Sequence, residues 1–293
     1  MKIVTFRLAG ERRVGVVDDN HMVRPFDLSA ADSERGALAL VAANAAGRAW
    51  PALLSEMPLH RVELEAPIPL PHRNIFCVGK NYHEHAREFA GSGFDSSAAQ
   101  GDIPRHPIIF SKLPQSVIAS DAPILIDPAV SSAIDYEAEL AVIIGKGGRS
   151  IRHEDALEHV WGYTIVNDVT ARDLQHRHSQ WLIGKSQDTF CPMGPYAVTA
   201  DAVDLATMSV QAWVNDELRQ QADVSDLIFD IPTLVATLSA GITLQPGDII
   251  ATGTPAGVGI GFDPPRYLTH GDVVRVAISG LGELRNPVHE VSR

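Results

Sequence analysis

Two glutamates that are two residues apart, Glu137 and Glu139, stand in the segment of this sequence with the most chemical content. Residues 140–144 after them are apolar and end at a glycine, which predicts a buried strand. Side chains alternate along a strand, so both carboxylates point to the same face. Two like charges there repel each other and resist desolvation, and a divalent cation between them would relieve both penalties. The alternative is that both glutamates lie on the solvated edge of a half-exposed strand.

A third carboxylate, Asp168, ends another β-rich run at residues 162–167. Three carboxylates without a cysteine or a required histidine form a hard, all-oxygen donor set. Mg²⁺ and Mn²⁺ suit such donors, with water or substrate oxygens completing an octahedron. Glu137, Glu139 and Asp168 are therefore candidate ligands of one of these ions, with the solvated strand edge as the remaining alternative.

His85 and Glu88 are candidates for acid–base chemistry. They are three residues apart in a segment predicted to be helical, so they are neighbours on one helical face. A histidine oriented by a carboxylate is the usual arrangement for activating a water molecule. An ion pair on the helix surface is the alternative.

Two further segments offer groups that could bind a substrate. Lys185 lies between a glycine and small polar residues, and is either a cation directed into a site or a solvated loop lysine. Residues 251–259 end a strand in a glycine-rich turn, which either binds a carboxylate through its backbone amides or is a structural turn only.

Zinc and nucleotide motifs fail on spacing. Residues 83–85 read His-Glu-His, which does not place two histidines one helical turn apart. The glycines of residues 257–261 lack both the dinucleotide-binding spacing and the lysine of a phosphate loop. We therefore expect neither zinc nor a nucleotide.

The elements that must position these residues are mostly short strands. Residues 1–66 begin with a predicted hairpin, Lys2–Leu8 and Arg13–Val17, and an alanine-rich helix, Ala37–Ala49; prolines 67, 69 and 71 then form a connector. Residues 90–106 are predicted to be a mobile loop. The other predicted strands are Asn74–Val78, Ile108–Ser111, Ile124–Ile126, Glu137–Ile144, Gly162–Val166, Tyr196–Thr199, Ser209–Val214, Ile249–Thr252 and Val273–Ile278, and the other predicted helices are Asn81–Phe89, His153–Glu158, Ala171–His178 and Ile231–Ser239.

Composition excludes several classes of protein. The chain has 293 residues, of which 45% are hydrophobic and 20% charged, as in ordinary globular proteins. A net charge of −12 without a basic run argues against nucleic acids and anionic membranes as partners. We expect no signal peptide and no membrane span. Cys77 and Cys191 stand in apolar contexts, which favours buried free thiols and a cytoplasmic protein.

Six stretches in this order resemble the fumarylacetoacetate hydrolase superfamily, and the resemblance runs from about Asn74 to the end of the chain. It implies an α+β, β-rich fold, the mixed β-roll of that family, with a small N-terminal α/β domain (residues 1–70), a catalytic domain (residues 71–293) and assembly as a homodimer. The stretches are residues 78–82, 109–112, 135–139, 167–175, 184–186 and 252–259.

The resemblance also implies roles for individual residues. It makes Glu137, Glu139 and Asp168 the Mg²⁺ or Mn²⁺ ligands. It makes His85 and Glu88 a water-activating pair, on a short helix that often becomes ordered when substrate closes a lid. Lys185 would stabilise an oxyanion. Arg172, Gln175 and Thr254 would hold the carboxylate and keto oxygens of the substrate.

Family substrates are small 2-oxo and 2,4-dioxo acids, and one metal site serves several of their reactions. The first expectation is a hydrolase that cleaves a C–C bond of an acylpyruvate or related 2,4-dioxo acid through an enolate. The alternatives are an oxaloacetate decarboxylase, or a tautomerase or isomerase of 2-oxo acids, at the same site. A non-catalytic metabolite-binding protein is a further alternative, and retention of His85, Glu88 and Lys185 argues against it.

Overall fold

A computed structural model describes residues 1–91 and 103–291 of the chain. Strands predominate in this part, and they are β1 (Lys2–Leu8), β2 (Glu11–Val17), β3 (Met22–Pro25), β4 (Met57–Pro58), β5 (Glu63–Glu65), β6 (Ile75–Gly79), β7 (Ile108–Lys112), β8 (Val117–Ile118), β9 (Ile124–Ile126), β10 (Ile134–Asp135), β11 (Ala138–Ile144), β12 (Val160–Asn167), β13 (Thr170–Ala171), β14 (Cys191–Pro192), β15 (Ala197–Thr199), β16 (Ser209–Val214), β17 (Glu217–Asp223), β18 (Ile249–Ala251), β19 (Val273–Ile278) and β20 (Gly282–Glu290).

The helices of the described residues are short. The α-helices are α1 (Ala30–Ser33), α2 (Leu38–Ala45), α3 (His83–Gly91), α4 (Arg172–Arg177), α5 (Leu182–Lys185) and α6 (Ile231–Ser239). Turns of 3₁₀-helix occupy Leu59–Arg61, Pro114–Ser116, His153–His159, Ala200–Ala202, Leu205–Thr207, Val224–Asp226 and Gly259–Gly261. In the part of the chain that the structure describes, no helix is long and apolar enough to cross a membrane.

Two large sheets share the main apolar core. The first has eleven strands in the order β4-β3-β2-β1-β15-β12-β11-β18-β6-β7, with β5 added beside β1. The second has five strands in the order β17-β16-β19-β20-β9. Leu140 and Val142 of β11 belong to the same buried cluster as Val210 of β16 and Val276 of β19. The β-rich α+β fold expected from the sequence is confirmed. Burial of both faces of β11 explains why its residues 140–144 are continuously apolar.

The N-terminal strands continue the first sheet. Lys2 of β1 pairs with Val198 of β15, so residues near the start of the chain lie directly beside the later strands. The division into residues 1–70 and 71–293 stays a prediction.

Most predicted elements are present with ends that differ by one or two residues. The helix predicted at Ala37–Ala49 is shorter, Leu38–Ala45, and the helix predicted at His153–Glu158 is a 3₁₀-helix over His153–His159. Strands β17 and β20 were not predicted because their sequences are rich in polar residues. Of the loop predicted at residues 90–106, residues 92–102 lie outside the described part.

Candidate active site

The three carboxylates meet because of the register between β11 and β12. Ala138 pairs with Asn167, so Glu137 and Asp168 lie opposite each other just beyond the two strand ends. The Asp168 N–H donates to the Glu137 carbonyl at 2.8 Å. One ligand oxygen from each of Glu137, Glu139 and Asp168 lies within 4.8 Å of the others, and all three residues are buried. The solvated strand edge is therefore wrong.

Buried cations neutralise part of this negative charge. Lys185 Nζ donates to Glu137 at 2.7 Å and to Asp168 at 2.8 Å. Lys112 Nζ donates to the other oxygen of Asp168 at 2.6 Å and also to the Lys185 carbonyl. Lys185 is the last residue of α5 and is only 1% exposed, so the alternative of a solvated loop lysine is wrong.

The protonation equilibria of the two glutamates shift in opposite directions. Burial alone would raise the pKa of Glu137, but the charges of Lys185 and Arg172 outweigh it and lower that pKa to about 2. Burial, together with Asp168 and Glu137, raises the pKa of Glu139 well above its usual range. Burial would lower the pKa of Lys185, but Asp168 and Glu137 raise it, so the amine stays charged.

The environment of the Glu139 carboxylate fits a bound metal ion best. It is 1% exposed and accepts a 2.9 Å hydrogen bond from the Gly253 N–H, but within the described residues it forms no ion pair. A buried carboxylate beside two others is costly unless a positive charge compensates it. The donor set is all oxygen, as Mg²⁺ and Mn²⁺ prefer. Glu137, Glu139 and Asp168, hereafter the acidic triad, can therefore hold a divalent ion.

His85, which is buried, and Glu88, which is partly buried, form a pair on α3. His85 Nδ1 and Glu88 Oε2 are 3.1 Å apart, and the side chains are 6% and 15% exposed. The other carboxylate oxygen of Glu88 accepts a hydrogen bond from the Gly257 N–H at 2.9 Å. The alternative of a pair on the helix surface is wrong, because Glu88 connects the histidine to the turn after β18.

Asn81 attaches the start of α3 to the rest of the fold. Its side-chain amide donates to the carbonyls of Thr252 and Phe229 at 2.7 and 3.0 Å, and its side-chain oxygen accepts from the Phe229 N–H. Towards the end of α3, Phe89 packs in a small apolar cluster with Val258 and Ile260. The helix is therefore positioned by contacts with distant segments.

The three predicted substrate-binding residues also line the site. Arg172 Nε donates to Asp135 at 2.8 Å, and Nη1 reaches Glu137 at 2.6 Å and Gln175 at 3.2 Å. Arg172 Nη2 is buried and has no hydrogen-bond partner among the described residues. Thr254 follows Gly253, whose φ of +104° and close approach to Asn81 leave no room for a side chain.

One small pocket collects most of these side chains. Of the nine predicted site residues, all but Asp168 and Glu88 line it, and those two contact lining residues directly. Its remaining walls are formed by Val78, Gly79, Lys80, Phe89, Phe110 and Trp181. The pocket thus combines an acidic centre, a histidine and three buried cations, Lys80, Arg172 and Lys185, with an aromatic wall.

Three residues without a predicted role support the site. Asp135 accepts from Arg172 and from the N–H groups of Gly259 and Ile260. Asp135 lies two residues before Glu137, so the alternation of side chains along a strand could have indicated that it belongs to the site. Lys112, at the end of an apolar strand, was also indicated by its position. Gln220 lies in the polar strand β17, whose sequence contains no such signal.

Comparison with known proteins identifies the family. Residues 74–289 match the family model described as fumarylacetoacetate (FAA) hydrolase, C-terminal. The chain is 51% identical over 231 residues to oxaloacetate tautomerase YisK of Bacillus subtilis (strain 168), covering 78% of this chain and 74% of that protein.

Solved structures agree. A fumarylacetoacetate hydrolase from psychrophilic Exiguobacterium antarcticum matches with a TM-score of 0.83 and 40% identity, covering 99% of this chain and 100% of that one. Maleylpyruvate hydrolase from Sphingobium sp. SYK-6 in complex with manganese(II) and pyruvate matches with a TM-score of 0.75 and 33% identity, covering 100% of both chains. The chain is therefore an enzyme that belongs to the fumarylacetoacetate hydrolase family.

Proposed function

We propose that this protein is a tautomerase of small 2-oxo acids, dependent on Mg²⁺ or Mn²⁺, that interconverts the keto and enol forms of oxaloacetate. The observation that carries the proposal is one small pocket lined by Glu137, Glu139, His85, Arg172 and Lys185, with Asp168 in direct contact with Lys185. The 51% identity with an oxaloacetate tautomerase over 78% of this chain supports this substrate.

Tautomerisation moves one proton and breaks no carbon–carbon bond. The C–H bond next to the 2-oxo group is broken, its electrons form the C=C bond, and the 2-oxo oxygen gains a proton. Glu137, Glu139 and Asp168 would hold the ion, which supplies a Lewis acid for the 2-oxo group. The pocket must then provide a group that accepts and returns the proton, and cations that stabilise the negative charge on oxygen.

The chain's own residues fit these roles. Histidine exchanges protons near neutral pH, and Glu88 fixes the orientation of the His85 ring through Nδ1. Lys185 stays charged, so it serves as a cation towards the developing oxyanion rather than as a base. Arg172 Nη2 is a buried donor that suits a substrate carboxylate.

Hydrolysis of an acylpyruvate, the first expectation from the sequence, is the second candidate. The His85–Glu88 pair favours it, because activating a water requires such a base. Decarboxylation of oxaloacetate is the weaker alternative, since it requires no base for water. The homodimer, the choice between Mg²⁺ and Mn²⁺ and the cytoplasmic location stay predictions.

The test compares three reactions on one preparation loaded with Mg²⁺ or Mn²⁺. Enol absorbance reports tautomerisation of oxaloacetate, and release of pyruvate reports both decarboxylation and cleavage of acetylpyruvate. His85→Ala should slow tautomerisation by about a hundredfold to ten-thousandfold while ion binding persists.

His83→Ala is the matched control, since His83 is an exposed histidine on the same helix. It should have no effect on the rate. Tautomerisation no faster than without enzyme, combined with rapid cleavage of acetylpyruvate, would replace the proposal with the hydrolase.

A further inference from the structure

Gln220 joins the candidate site from the second sheet. It lies on β17, is fully buried, and reaches the turn that carries Thr254. This approach depends on Gly257, whose φ is +99° and where a side chain would collide with the Arg219 carbonyl. The turn after β18 is thereby packed against β17.

The orientation of the Gln220 amide is determined by its partners. The Ala138 N–H, which can only donate, lies 3.0 Å from Gln220 Oε1. The Pro255 carbonyl, which can only accept, lies 2.7 Å from Nε2. Nε2 is therefore the NH₂ group, and its second hydrogen goes to Thr254 Oγ1 at 2.7 Å.

This arrangement also determines the direction of the Thr254 hydroxyl. A hydroxyl has one hydrogen and two lone pairs, and the Gln220 amide occupies one lone pair. The hydrogen must therefore point away from Gln220. Thr254 Oγ1 donates to none of the described residues, and Thr254 lines the pocket beside Glu139 and Lys185. The hydroxyl hydrogen is thus available to a ligand.

We infer that Gln220 is a positioning residue that forces the Thr254 hydroxyl to act as a hydrogen-bond donor towards an anionic oxygen of the bound 2-oxo acid. This rests on the proposed function, because it takes the ligand of the pocket to be such an acid. Gln220 does not line the pocket, and among the described residues its side chain hydrogen-bonds to Ala138, Thr254 and Pro255 rather than to a carboxylate of the acidic triad, so it would act through Thr254.

The test is oxalate binding to the Mn²⁺-loaded protein, measured by calorimetry. In Gln220→Glu, one oxygen still accepts from the Ala138 N–H, and the other replaces the NH₂ group that donated to Thr254 and to the Pro255 carbonyl. That second oxygen accepts a hydrogen bond from Thr254, so the hydroxyl turns away from the pocket. Oxalate affinity should fall by about ten- to a hundredfold, the loss of one hydrogen bond to a charged group. Thr254→Val should cause a similar loss.

Combined variants separate positioning from simple charge repulsion. In the Thr254→Val background, Gln220→Glu should add no more than about twofold, because no hydroxyl remains to be turned. In the Thr254→Ser background, which restores the hydroxyl, the full loss should return. Gln220→Met serves as an uncharged second variant if Gln220→Glu does not fold, and its loss should likewise disappear in Thr254→Val.

The following results would overturn the inference about Gln220. If Gln220→Glu weakens oxalate equally in the Thr254→Val background, or if it removes Mn²⁺ binding itself, Gln220 acts on something other than the hydroxyl and the inference is overturned. Unchanged oxalate affinity in Gln220→Glu overturns it as well. If the wild-type protein loaded with Mn²⁺ does not bind oxalate, the proposed function fails together with the inference.

Discussion

The two sides of the candidate site are built in different ways. On the acidic side, Glu137, Glu139 and Asp168 lie at the ends of β11 and β12, which are paired along their lengths. On the helical side, His85 and Glu88 lie on α3, whose position depends on a few contacts with distant segments. The acidic side is thus fixed by a strand ladder, and the helical side by tertiary contacts.

Because of this difference, we expect the two sides to have different roles in the site. The acidic side places charges that a bound ion needs at fixed separations, and a ladder between buried strands resists distortion. Under the proposed function, the helical side places the group that would move a proton, on a short helix that lies outside the strand ladder. Substitutions on the acidic side should therefore abolish ion binding, whereas those on the helical side should affect turnover alone.

The largest effect is expected for Glu139→Gln. The variant removes a carboxylate that has no ion-pair partner among residues 1–91 and 103–291, so Mn²⁺ binding should be lost and turnover of oxaloacetate should fall by roughly a thousandfold or more. The melting temperature without metal should not fall, because a repulsive buried charge has been removed.

Mn²⁺ titration and the enol assay measure the two losses. Glu283→Gln, at an exposed glutamate of β20, is the matched control and should change neither. Wild-type turnover by metal-free Glu139→Gln would contradict the assignment of the acidic side.

The pH dependence of stability should separate the two glutamates in the metal-free protein. The pKa of Glu137 is lowered from 4.5 to about 2, so this carboxylate adds to the free energy of unfolding above pH 4.5, and the addition is lost as the pH falls towards 2. The pKa of Glu139 is raised, so this group's addition to the free energy of unfolding is present below pH 4.5 and is lost as the pH rises through the raised pKa.

Urea unfolding with EDTA at several pH values tests this. The free energy of unfolding of Glu139→Gln, relative to that of the wild type, should increase as the pH rises above 4.5. Glu137→Gln should instead reduce the loss of stability in acid. If the free energy of unfolding changes with pH in the same way for all three proteins, the pKa values of the two carboxylates are not shifted as described.

The smallest effect is expected on the helical side. Ile260 is 3% exposed and packs with Phe89 of α3, so Ile260→Val should cost about 0.5–1.5 kcal/mol of stability. Mn²⁺ affinity should stay unchanged, whereas turnover should fall modestly because α3 is held less firmly. Urea unfolding, metal titration and the enol assay measure these, and Ile242→Val, at an exposed isoleucine, is the control. A loss of Mn²⁺ affinity in Ile260→Val would mean that the two sides are not separate.

Local sequence patterns predicted much of the acidic side. The alternation of side chains along β11 put both glutamates on one face, and the end of a second apolar run identified Asp168. Such patterns work because strand geometry is repeated every two residues and does not depend on distant parts of the chain. The helical spacing of His85 and Glu88 was readable for the same reason, although the spacing alone left open whether the pair is buried.

The remaining features are decided by the tertiary structure. Gln220 hydrogen-bonds to Ala138 across 82 positions, and Glu88 to Gly257 across 169, and no local pattern encodes such distances. The pairing of Lys112 and Lys185 with the acidic triad, the opposite pKa shifts of Glu137 and Glu139 and the direction of the Thr254 hydroxyl all depend on which buried groups meet. The sequence by itself determined which residues could do the chemistry; folding decided their partners, because burial and hydrogen bonding act between neighbours in space.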